Sequence, residues 1–148
     1  MKMTKAEKRK QTELVLSRLG ASFEKQNERA YAINEAQELQ YQRMKLGSFN
    51  NFDGEFVGQS LRAHQELWTA FMFGRWQYFD IIELRDMRSG YVNGDTLYIL
   101  TKKERLSELL LLITQWSADE VNCYTEDKDC RLGGGFEKDD VLVRVWWD

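Results

Sequence analysis

The last eight residues, "VLVRVWWD" (Val141 to Asp148), constrain the fold more than any other stretch. β-branched residues alternate with larger ones, which is the pattern of a strand. Neighbouring side chains on a strand point to opposite faces. Val141, Val143, Val145 and Trp147 therefore share one face, and Leu142, Arg144 and Trp146 share the other. The valine face needs an apolar cover, and "RLSELLLLITQW" (Arg105 to Trp116) offers a short, strongly apolar helix for it. The adjacent tryptophans cannot enter one core. Trp147 is expected inside and Trp146 at an exposed edge or against a partner. On one reading the N-terminal helices cover the second face, since covered sheets are the rule in layered domains. On the other, Trp146, Arg144 and Tyr98 form a partner-binding platform, because aromatic residues and Arg are enriched at interface hot spots.

Further strands are expected at "TLYILT" (Thr96 to Thr101) and "DEVNCYTE" (Asp119 to Glu126). Asn93-Gly94 is the strongest short hairpin signal. "TKKE" (Thr101 to Glu104) reads as a capping box that opens the apolar helix. "DKDCRLGGGFEKDD" (Asp127 to Asp140) is a glycine-rich, charged loop. Residues 76–148 thus read as a β-α-β-β part. "YFDIIELRDM" at its start fits either a helix end or a strand.

Residues 1–75 read as mainly helical. "TKAE" (Thr4 to Glu7) matches a capping box, and Leu16, Leu19 and Phe23 follow at helical spacing, with Gly20 a possible break. A weakly amphipathic helix from about 22 to 46 is interrupted by Gln26, Gln37 and Gln40. Asp53 suits an N-cap. The helix it opens runs from about Gly54 to Phe73, with Val57, Leu61, Trp68, Phe71 and Met72 in one stripe. That stripe is broader than one core face needs, which suggests burial between two layers or in an oligomer. Segregated helices and strands give an α+β fold, with N-terminal helices on a small antiparallel or mixed C-terminal sheet. The 148 residues suffice for a single domain.

Composition narrows the function classes. The net charge of −3 carries no overall polyanion-binding signature. The charge is uneven, however: residues 1–50 hold 10 Lys/Arg against 6 Asp/Glu, and residues 51–148 hold 11 against 18. The longest all-apolar run, Leu109 to Ile113, is too short to span a bilayer. "MKMTKAEKRK" followed by "QTELVLSRLG" is too polar for a secretion signal. Two cysteines make no disulfide framework, so the compartment reads as cytoplasmic.

Chemistry-bearing residues are few. Lys5, Lys8 and Arg9 align on a helix and could track phosphates, although a solvated helix end has the same composition. His64, the only histidine, lacks the partners that a metal or Ser–His site requires and reads as a surface or core-edge residue. Cys123 and Cys130 lack zinc-ligand spacing, and Cys123 is expected to be buried in its strand. "DIIELRD" gathers Asp80, Glu83 and Arg85, but Arg85 stands where a metal-dependent nuclease would carry Lys. "LGGGF" (Leu132 to Phe136) lacks the lysine and helix of a phosphate loop and suits a flexible hairpin tip. No catalytic, cofactor-binding or metal residue is assigned, and no motif names a family.

The expected function is a small, non-enzymatic protein-binding module that occludes a partner, in the style of accessory or inhibitor proteins of phages and mobile elements. It is expected to be homodimeric through the N-terminal helices. Weak nucleic-acid binding through the basic N-terminus is one alternative, and a small ligand-binding or carboxylate-dependent enzyme is another.

Overall fold

The strands of the main sheet all lie from Ala70 onward, and the described chain before them is mainly helical. The computed structural model describes residues 34–75, 80–126, 132–133 and 135–148. Lys5, Lys8, Arg9, Cys130 and the Thr4–Glu7 capping box lie outside these residues. The described helices are α1 (Glu35–Lys45), α2 (Gly54–Ala63), α3 (Asp80–Met87) and α4 (Leu106–Ile113). The strands are β1 (Ser48–Phe49), β2 (Phe52–Asp53), β3 (Ala70–Gly74), β4 (Thr96–Lys102), β5 (Glu120–Tyr124) and β6 (Asp140–Trp146). The fold is α+β. Its main sheet is wholly antiparallel, in the order β3-β4-β6-β5, and it contains the β4-α4-β5-β6 unit. β1 and β2 form a separate small hairpin around Asn50, whose φ of 48° suits the tight turn.

The core lies on the valine face. Val141, Val143 and Val145 are buried there with Leu97 and Ile99 of β4 and Phe71 and Phe73 of β3. Tyr41 and Met44 of α1, Val57 and Leu61 of α2, and Leu109, Leu112 and Ile113 of α4 complete it. Trp147 is 0% exposed. Its ring lies 4.6 Å from that of Phe52, and its indole Nε1 donates to the Trp116 carbonyl at 3.0 Å. Trp146, on the opposite face, is only half-buried.

Several expectations are corrected. The helix opening at Gly54 has the expected Asp53 cap, which accepts from the Phe56 amide at 3.0 Å, but it ends at Ala63. Ala70–Gly74 is a strand whose residues alternate between exposed and buried. An apolar arc too wide for one helix face was two elements of different period. The strand part therefore begins at Ala70. α1 and α2 lie on the valine face and not on the second, while the helical stretch expected before residue 34 lies outside the described residues. "DIIELRDM" is helix α3.

Asn93-Gly94 makes no hairpin, because no strand of the described residues immediately precedes it. Gly94 instead lets the chain pass close to Phe73, whose ring would come within 2.4 Å of an added Cβ. Asn93 is buried, accepts from Arg75, and donates to Asp86 Oδ2 at 2.5 Å. Hydrogen bonds from Arg85, and then from Asn93, hold the Asp86 carboxyl down at about 2. Thr101 caps nothing, since β4 continues through Lys102 and a 3-10 turn separates it from α4. The buried Thr101 hydroxyl donates to the Leu67 carbonyl at 2.6 Å.

Removal of Trp147 opens the core, and large-to-Ala changes at such sites cost about 3–5 kcal/mol. Trp147→Ala is therefore expected to destabilise the protein severely in denaturant melts, and Trp146→Ala to cost clearly less. The reverse order would invert the register assigned to β6.

Candidate protein-binding face of the sheet

The antiparallel registers put three rows of side chains on the face opposite the core. Ala70, Leu100, Leu142 and Tyr124 form the first. Met72, Tyr98, Arg144 and Asn122 form the second, and Gly74, Thr96, Trp146 and Glu120 the third. Tyr98, Arg144 and Trp146, singled out in the sequence, thus converge. Tyr98 and Arg144 are direct cross-strand partners. Trp146 follows Arg144 by one full pleat on the same face.

Arg144 is the organising charge. Its side chain is only 7% exposed, and its guanidinium donates to Asn122 Oδ1 at 2.7 Å and meets Glu120 Oε1 at 3.3 Å. A charge removed from water needs such partners. Arg144 therefore ties β6 to β5 and fixes the acidic and amide groups around it. Tyr98, Trp146, Asn122, Tyr124 and Leu100 are half-buried, whereas Met72 is 57% exposed. None of α1, α2 and α4 covers this face, because their buried residues all join the core on the other side.

The sequence did not mark Met72 as a site residue, because a helical reading placed it in a core stripe. The alternation in "AFMFG" was the signal: Phe71 and Phe73 go inward, so Met72 must go outward.

The other candidates do not join the face. His64 ends α2, half-buried, with Nδ1 2.9 Å from the Ser60 carbonyl. Glu83 pairs with Arg43 of α1, and Arg85 with its neighbour Asp86. Among the described residues no group of three or more His, Cys, Asp or Glu could hold a metal ion. The "LGGGF" loop leads directly into β6, not into a helix. Its return is anchored by Lys102, which meets Asp140 at 2.6 Å and Glu137 at 3.2 Å. Those carboxylates raise the Lys102 pKa, Asp140 most.

Cys123 is exposed and not buried as expected. It shares the valine face, but β5 is the edge strand of the main sheet, where the core beneath it ends. Partial desolvation still raises its thiol pKa. No described helix is long and apolar enough to cross a membrane. No known protein family, curated protein or solved structure matches this chain.

Hydrogen bonds to charged groups contribute about 1.5–3 kcal/mol each. Arg144→Ala, which leaves Asn122 and Glu120 without their donor, is expected to lower the unfolding free energy by a similar amount, read as a lower denaturant midpoint, while the fold persists. A change in midpoint too small to measure would show that the guanidinium does not organise the face.

Proposed function

We propose that the protein is a non-enzymatic binding module of accessory or inhibitor type, which occludes a partner protein with the face centred on Met72, Tyr98, Arg144 and Trp146. The observation that carries this reading is the exposed Met72 beside that aromatic–arginine row, on a face that none of α1, α2 and α4 covers. Methionine adapts to irregular surfaces, and aromatic rings supply large contact areas with few rotors to freeze. A buried Arg held by Asn122 and Glu120 gives such a surface a fixed shape before it binds. The free, exposed Cys123 thiol fits a reducing, cytoplasmic setting.

The test is quantitative capture of partners by the full chain. Loss of a hot-spot side chain costs about 2 kcal/mol or more, roughly thirtyfold in Kd. Met72→Asp and Trp146→Ala are each expected to weaken the captured interaction to that extent. Leu111→Asp, on the exposed side of α4, is expected to leave it unchanged. Binding that survives both face variants but is lost with Leu111→Asp would move the site to the helical side.

A further inference from the structure

The two edges of the main sheet are finished differently. At the β3 edge, the outward backbone groups belong to Phe71 and Phe73, and side chains of α1 occupy all of them. The Gln37 amide donates to the Phe71 carbonyl at 2.9 Å and accepts from the Phe71 amide at 3.1 Å. Gln40 accepts from the Phe73 amide at 2.9 Å, and Arg43 Nε donates to the Phe73 carbonyl at 3.1 Å. No strand can add there.

At the β5 edge the ladder phase is fixed by β6. The Trp147 amide donates to Asp95, so odd-numbered residues of β6 face β4 and even-numbered ones face β5. By alternation, Glu120, Asn122 and Tyr124 bond to β6, and Val121 and Cys123 turn their amides and carbonyls outward. No described residue hydrogen-bonds to those outward groups. β5 contains neither proline nor lysine, two of the devices that blunt natural edges. Val121 is 39% exposed, and Cys123 is exposed beside it on the same face.

We infer that β5 pairs antiparallel with β5 of a second copy, about a two-fold axis through Asn122, to make one continuous eight-stranded sheet. Three features select this occupant and register. First, the axis at Asn122 overlaps the whole of Glu120–Tyr124, whereas an axis at Val121 or Cys123 leaves part of the strand unpaired. Second, Val121 lies opposite Cys123 of the second copy in a hydrogen-bonded pair. The same contact recurs across the axis, so all the outward groups are satisfied and both exposed apolar side chains are covered. Third, Glu120 opposes Tyr124, so no like charges face each other directly. An axis at Cys123 would oppose Glu120 to Glu126, and directly opposed like charges are destabilising. So short a pairing belongs with the weak, transient interfaces.

Sedimentation of the full chain tests this, with cross-linking as a second readout. The wild type is expected to pass from monomer to dimer as concentration rises, and Val121→Pro to remain monomeric. That substitution removes only an outward amide, which the β5–β6 ladder does not use. In a Cys123→Ser, Cys130→Ser background, Asn122→Cys places two thiols in a non-hydrogen-bonded pair about 4.5 Å apart between Cα atoms, within disulfide reach. Mild oxidation is expected to cross-link it at least about tenfold faster than Glu120→Cys, whose copies lie about 13 Å apart. A wild type that stays monomeric throughout would overturn the inference. So would a dimer that persists with Val121→Pro and cross-links equally through both cysteines, since it would use another surface. Should Val121→Pro fail to fold, the ratio of the two cross-linking rates decides alone.

Discussion

The outward backbone groups of Phe71 and Phe73 are met by side chains of α1 and not by another strand, and much of the structure depends on that contact. Buried or half-buried amides and carbonyls need partners. β3 lies at the sheet edge and commits two phenylalanines to the core, so its free side cannot be left to solvent alone. Gln37 serves both groups of Phe71, and Gln40 and Arg43 serve those of Phe73. With α1 fixed there, Tyr41 packs edge-on against Phe71, with ring centroids 4.7 Å apart, and Met44 reaches the core. The guanidinium of Arg62 stacks on Tyr41 at 3.9 Å and binds Glu38, which joins α2 to α1. Burial raises the Tyr41 pKa far above its usual value, so its hydroxyl stays protonated.

The same contact decides what the sheet can do elsewhere. α1 closes one edge and, with α2 and α4, fills one face. Among the described residues, none of these three helices covers the opposite face, and none hydrogen-bonds to the outward groups of the β5 edge. Arg144 links these two regions, because its partners Asn122 and Glu120 are residues of the edge strand itself. A partner on the face and a copy at the edge would thus meet the same strand from different directions.

Much of this was legible in the sequence where a single period dominates. The valine alternation of β6 places Trp147 inside and Trp146 outside, and "TLYILT" and "LSELLLLI" form their expected strand and helix. The readings fail where two periods abut, as in "EFVGQSLRAHQELWTAFMFG", in which helix passes into strand without a glycine–proline break. They fail again where a residue's task is set by tertiary structure. Gln37 and Gln40 look like interruptions of a helical stripe, yet they are its contacts to the sheet edge. Gly94 looks like a turn residue, yet it makes room for Phe73. The convergence of Tyr98, Arg144 and Trp146 could be read from alternation, but Met72 needed β3 to be recognised first.

Amide hydrogen exchange in dilute solution tests the asymmetry of the two edges directly. If side chains of α1 close one edge and no described residue closes the other, the Phe71 and Phe73 amides are strongly protected, as core-strand amides are, and the Val121 and Cys123 amides exchange rapidly. Substitution of Gln37 and Gln40 by leucine should then abolish the protection of Phe71 and Phe73 without altering that of Asn122. Fast exchange at Phe71 and Phe73 in the wild type, or strong protection at Val121 and Cys123 in the dilute monomer, would contradict the account.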